Sequence, residues 1–309
     1  MPQEKPTIAC FGATGGCVAA ALTSALKDGF YCTALARTPE KLRSILIDEH
    51  KIPLATFNQY LTIYEGDIKD PAIVQKALIS PTHTASVVDF ILSGVGAYPT
   101  FQWSLMRPFP LTDPTITEDA MNTIYAALSS LSASSITNTS AGQKPLLVAI
   151  STAGCGRNRG IPLPIYLPYH YLLGGPLADK KRMEKVIMAG KNDYIRDFVI
   201  MRPLILTDGE AKGENQLRVG WEWGTDDGKG ECEEPGPEIG YFVSRKDVGK
   251  WMFDNVVVQG GWEGKCILKS NRPEGDRIEI GSFLLGLEIA RWICIHESQW
   301  KAPCQVSVT

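Results

Sequence analysis

The chain has 309 residues, 44% of them hydrophobic, and a formal net charge of −3, which suits one large domain or a core with an appendage. That slight acidity argues against nucleic acid or an anionic membrane as a partner. Eight cysteines stand singly at 10, 17, 32, 155, 232, 266, 294 and 304 without a CxxC pair, which argues against zinc ribbons and predicts buried free thiols in a reducing, cytoplasmic setting.

Residues 1–6 are short and polar, so no signal peptide is expected, and the first apolar run, 7–11, predicts a strand. It meets Gly12-Ala-Thr14-Gly15-Gly16, and Val18, Ala21, Leu22, Ala25 and Leu26 then repeat at helical spacing. Strand, tight turn and helix in that order make an anion site, because the helix start offers unpaired N–H groups and a positive dipole end. Gly12 and Gly15 allow close backbone approach and Thr14 adds a hydroxyl, although Val18 stands where a third glycine is usual. Asp28-Gly29 ends the helix.

A second strand, 31–36, ends on Arg37, with Thr38 as cap and Pro39 opening a helix. In a dinucleotide fold the end of strand two faces the adenosine ribose, where an acidic residue suits NAD and a basic one suits a 2′-phosphate. Arg37, with Lys41 one turn on, therefore predicts NADP(H). A strand at 61–64 leads to Gly66-Asp67, and Asp67 is placed to accept from the adenine amino group. Asp70 caps a helix over 72–78, and the apolar strand 87–92 ends in Ser93-Gly94-Val95-Gly96, at the edge where ligands sit.

Phe101, Trp103, Met106 and Phe109 lie in an aperiodic loop, 101–113, a prospective apolar substrate wall. A helix over 116–131, a polar connection over 132–143 and a strand over 145–150 follow, and the strand ends in Ser151-Thr-Ala-Gly154. Residues 161–171 are aromatic and proline-rich, 178–187 predict a polar helix, and 197–201 a sixth strand closed by Arg202-Pro203. Six strands alternating with helices predict an α/β fold with a doubly wound parallel sheet. Residues 221–240 read as loop, 240–251 as strand, cap and helix, and 266–269 as a last strand. Residues 278–295 are apolar but too charged for a membrane span, which predicts a helix packed on the body or on the partner of a homodimer.

The Gly12–Gly16 turn, Arg37, Gly66-Asp67, Ser151-Thr-Ala-Gly154, the Tyr169-His-Tyr segment with Lys180, Arg202-Pro203 and Ser244-Arg-Lys-Asp247-Val248 together resemble the atypical short-chain dehydrogenases, in particular NmrA-like NAD(P)-binding proteins. The resemblance covers roughly residues 6–270. It implies a Rossmann-type domain over 1–206 and a small C-terminal substrate part over 207–309, with 240–252 returning to the core. It implies diphosphate contacts from Gly12, Thr14, Gly15, Gly16 and Cys17, and a 2′-phosphate contact from Arg37. Asp67-Ile68 would hold adenine, Ser93-Gly94 would lie by a ribose, and Lys180 by the nicotinamide ribose.

The wider superfamily works with Tyr-x-x-x-Lys, but Pro176 stands four residues before Lys180 and Leu177 four before Lys181. The standard proton donor is therefore missing. Ser151 matches a serine that would hydrogen-bond the substrate oxygen, and His170, Tyr169, Tyr166 and Tyr171 compete for the role of acid. The expected function is NADPH-dependent reduction or dehydrogenation of a small, largely apolar metabolite, aromatic or terpenoid, in secondary metabolism. The alternatives are a non-redox isomerase and a cofactor-sensing regulator without catalysis.

Overall fold

The computed structural model describes residues 5–97, 111–224 and 234–271. β1 (Ile8–Phe11) is buried along its whole length, and its side chains alternate between two cores. Ile8 and Cys10 face one helical layer, Ala9 and Phe11 the other, as a strand covered on both sides requires.

The chain then runs through α1 (Gly16–Lys27), β2 (Cys32–Ala36), α2 (Pro39–Ser44) with a π-helical continuation (Ile45–Glu49), α3 (Leu54–Tyr60) and β3 (Leu61–Glu65). α4 (Pro71–Leu78), β4 (Phe90–Ser93), α5 (Ile116–Ala133), β5 (Leu146–Ile150), α6 (Leu163–Leu172), α7 (Gly174–Ala189) and β6 (Asp197–Pro203) follow. Last come β7 (Ile205–Thr207), a 3-10 turn (Glu214–Gln216), β8 (Leu217–Trp223), β9 (Phe242–Ser244), α8 (Arg245–Trp251) with a π-helical continuation (Met252–Gln259), and β10 (Lys265–Asn271).

Eight strands form one sheet in the order β3-β2-β1-β4-β5-β6-β10-β8. Every pair in it is parallel except β10 with β8. β7 and β9 pair separately, in parallel. α1, the segment after α2, α3 and α8 cover one face, and α4, α5 and α7 the other. The strand order reverses between β1 and β4, so the turns leaving these two strands part around a crevice.

The doubly wound sheet follows the expectation, and several elements depart from it. β8 is a strand where residues from 221 on read as loop, and it runs antiparallel. The proline-rich 161–171 stretch contains α6, which holds Pro168 inside, and α7 starts at Gly174 instead of 178. α3 escaped the sequence reading altogether. The fourth strand begins at Phe90, while Val87 only bridges to Ile79. Thr38 takes the cap position without a side-chain hydrogen bond, whereas Asp70 Oδ1 accepts from Ala72 N at 2.9 Å. The expectations for 101–110 and 278–295 lie outside the described residues.

Residues beyond 206 join the same sheet through β8 and β10. α8 lies directly on α1: a Cβ added at Gly249 would stand 2.1 Å from Cys17 O. Among the described residues the thiols of Cys10, Cys17, Cys32 and Cys266 are buried and free. No helix there is long and apolar enough to cross a membrane.

β10 also carries a buried amine. Lys269 is 2% exposed, and its Nζ stands 3.7 Å from the centroid of the Trp251 ring without a hydrogen-bond partner. Burial pushes its pKa down from an ordinary 10.5 to about 6, against the pull of Glu214, Asp247 and Asp254. Between these two values the unfolded chain binds a proton that the folded chain does not, so this residue makes stability rise with pH across that window. Lys269→Met is expected to raise the melting temperature by roughly 5 °C at pH 7 and by less at pH 10, as read by thermal unfolding at the two pH values.

Candidate functional site

The turn after β1 is held by its own backbone. Gly15 N donates to Gly12 O at 2.9 Å, and Gly94 N donates to Phe11 O at 2.9 Å, which ties the β4 exit to the β1 exit. Gly12 takes φ +70°, and a Cβ there would stand 2.7 Å from the backbone of Gly94 and Val95. Only glycine meets both conditions.

A cleft of about 330 Å³ opens above these turns, and all four neighbouring strand ends line it. Gly12, Thr14 and Gly15 come from the β1 exit, Arg37 from β2, Gly66, Asp67 and Ile68 from β3, and Gly94 from β4. Among the other expected residues, Gly16 and Cys17 lie in the first turn of α1 outside the lining, with Cys17 buried. Ser93 is buried below the cleft. Burial lowers the Lys41 pKa, and the charge of neighbouring Arg37 lowers it further, while Glu49 acts the other way. Two neighbouring cations at a strand end suit a doubly charged anion. Asp67 Oδ1 accepts from Lys69 N at 2.9 Å.

Sequence reasoning missed the opposite wall. Lys69 meets Asp113 at 2.7 Å and Asp119 at 3.0 Å, so an ion-paired bridge joins the β3 exit to the start of α5. Thr112, Asp113 and Ile116 line the cleft with it. Neither partner carries a local signal, since 44 residues separate Lys69 from Asp113.

Lys180 lies at the next strand ends. Its Nζ donates to Val95 O at 3.2 Å and to Ile150 O at 2.7 Å, joining the exits of β4 and β5. The preceding residue sets its direction. Asp179 is buried and accepts from Thr117 N at 3.1 Å and Glu118 N at 3.3 Å, capping α5 from α7. With Asp179 turned to α5, Lys180 faces the strand ends. Burial lowers the Lys180 pKa to about 8, against Asp179, Cys155 and Glu184.

Ser151, one residue past β5, donates to Glu184 Oε1 at 2.5 Å. Arg202 grips that carboxylate twice, at 3.0 and 2.7 Å, and its other arm pairs with Glu222 on β8. All four side chains are buried. Tyr169 is also buried: its hydroxyl bonds Thr152 Oγ1 at 2.8 Å and donates to Ala153 O at 3.2 Å, and burial raises its pKa to about 12. His170 is partly exposed on α6 and meets the Tyr166 ring edge-on at 4.5 Å. Lys180 and Ser151 thus share the β5 exit, and Tyr169 and His170 reach it from α6.

A family model described as NAD(P)H-binding matches residues 12–257. The chain belongs to the NAD(P)H-binding family. Membership agrees with the resemblance to atypical short-chain dehydrogenases that the motifs carry. Two fungal relatives are similar along most of their length. Reductase pytE of Aspergillus terreus is 35% identical, over 84% of this chain and 95% of its own. Oxidase pynE of Aspergillus niger is 33% identical, with the same shares of 84% and 95%. Among solved structures, the anaerobillin reductase ChuY of Escherichia coli O157:H7 superposes with a TM-score of 0.54 at 16% identity, over 88% of this chain and 99% of its own. The oxidoreductase ylbE of Lactococcus lactis gives 0.53 at 16%, over 86% and 90%. At that identity the likeness concerns the Rossmann-type fold, which this member of the NAD(P)H-binding family shares.

Arg202 is the only cation bonded to both Glu184 and Glu222 among the described side chains. Its removal leaves two buried carboxylates without their common partner. Arg202→Met is expected to cost about 3–5 kcal/mol of stability. The loss should be larger at pH 8 than at pH 5, because an unpaired buried carboxylate relieves itself by binding a proton. Urea unfolding at the two pH values checks both the size and the sign.

Proposed function

We propose that the protein is an NADPH-dependent oxidoreductase, a reductase or dehydrogenase acting on a small, largely apolar metabolite. The observation that carries the reading is the shared cleft: the glycine turn, Arg37 and Asp67 line one cavity at the point where strand order reverses. In this assignment Gly12, Thr14 and Gly15, with the Gly16 and Cys17 N–H groups of α1, hold the diphosphate. Arg37 and Lys41 hold the 2′-phosphate, Asp67 and Ile68 the adenine, and Ser93 and Gly94 the neighbouring ribose. The two fungal relatives, named for a reduction and an oxidation, support redox chemistry.

A bound nicotinamide would supply the redox equivalents, and the chain's own groups would orient the substrate and move one proton. Lys180 is the proposed donor. Its ammonium is fixed by two carbonyls at the strand ends, and its lowered pKa, about 8, suits transfer near neutrality. Ser151 gives its proton to Glu184, so its lone pairs remain to receive a substrate hydroxyl or the lysine. His170 is the second donor in this scheme, whereas the raised pKa and internal bonds of Tyr169 assign it to support. The exposed Leu163, Leu167 and Tyr171 of α6 favour an apolar substrate.

Arg37→Glu is expected to weaken NADPH binding at least tenfold while leaving NADH within about threefold. Fluorescence titration of both nucleotides checks it, and equal losses for the two would remove the 2′-phosphate assignment. Lys180 loses its proton as pH rises through about 8. Reduction of any carbonyl compound the protein turns over should therefore fall across that pH, and the reverse oxidation should rise. In Lys180→Met both should drop by about a hundredfold or more, as measured by NADPH absorbance.

A further inference from the structure

β7 and β9 pair with Thr207 opposite Ser244, so Asp208 and Arg245 leave their strands side by side. Ser244 fixes both exits: its Oγ donates to Gly209 O at 2.8 Å and accepts from Lys246 N at 3.2 Å. Arg245 Nη1 then donates to Asp208 Oδ1 at 2.5 Å. The methylenes of Arg245 lie over Gly16, the first residue of α1, where an added Cβ would stand 2.6 Å from Arg245 Cδ. The pair's charges are felt beneath the turn: burial raises the Cys17 thiol to about 12, Arg245 lowers it and Asp208 raises it.

A helix start already carries partial positive charge and unpaired N–H groups, so a guanidinium laid against it is disfavoured unless an anion shares the space. Here the anion is the carboxylate of Asp208, whose side chain is 48% exposed. Arg245 itself is only 20% exposed and is committed to this position by packing on Gly16.

We propose that Arg245 grips the diphosphate of the dinucleotide, and that Asp208 holds the guanidinium in its place until the dinucleotide arrives. The inference rests on the cofactor reading above and adds to it an exchange of anions. A purely structural ion pair would respond alike to the loss of either member. An exchange responds with opposite signs: losing the cation removes a grip, while losing the carboxylate removes a competitor.

The test is fluorescence titration of the full chain with NADPH, NADH and adenosine 2′-monophosphate, the last lacking a diphosphate. Arg245→Gln is expected to weaken both dinucleotides about tenfold and to leave the monophosphate unchanged, with Arg245→Lys in between. Asp208→Asn is expected to tighten both dinucleotides about threefold. Unchanged affinity in Arg245→Gln, or equal weakening in the two variants, overturns the proposal. If Arg245→Gln does not fold, Asp208→Asn decides alone: tightening supports the exchange, and no change or weakening overturns it. A wild-type chain that binds neither dinucleotide removes the cofactor reading itself, and this inference with it. A wild-type chain that binds both, with unresponsive variants, removes the inference only.

Discussion

The arrangement depends on how closely two backbone turns approach. Gly12 rests on the Gly94 backbone at a separation that excludes a side chain, and the Gly94 N–H closes onto Phe11 O. This contact sets the spacing of the β1 and β4 exits, which is also where the order of strands turns round. The cleft, the Arg37 position and the Lys180 anchor on Val95 are all measured from it. Hydrophobic burial gathers the sheet; the glycine pair decides what shape its edge has.

Around that edge, helices act as much through their ends as through their faces. Asp179 of α7 caps α5 and leaves Lys180 aimed at the strands. Arg202 of β6 ties α7 to β8 through Glu184 and Glu222, and thereby fixes the partner of Ser151. Asp247 accepts from Lys212 N and Gly213 N at 2.9 and 3.1 Å, holding the segment after β7 on α8. Each is a buried charged side chain bonded across elements, and such groups define one geometry because leaving them unpaired is costly.

The sequence told most where the signal is local. The β1 turn, α1 with its Asp28-Gly29 stop, and the Asp70 cap are all written in adjacent residues. α6 was obscured because Pro168 is a breaker inside it, while Pro162 and Pro164 sit at its start where proline is tolerated; Ile165 and Tyr169 bury its inner face and tertiary packing prevails. β8 alternates Leu217, Val219, Trp221 and Trp223 with Arg218, Gly220 and Glu222, a strand pattern masked by the acidic, glycine-rich run that follows. Its pairing strand, β10, lies beyond residue 264, so the antiparallel register has no local trace. The ion pair Lys69–Asp113 and the Arg202 network were illegible for the same reason: their members are distant in the chain.

Lys180 Nζ donates to main-chain oxygens at residues 95 and 150, with the Met183 sulfur a longer contact at 3.9 Å. Oxygens of that kind persist whatever amino acid occupies the position. Val95 and Ile150 are therefore open to replacement without unseating the amine, and the walls around it are able to drift in shape and size. A lineage could remodel the space beside the amine by changing those walls while the amine itself stays where it is.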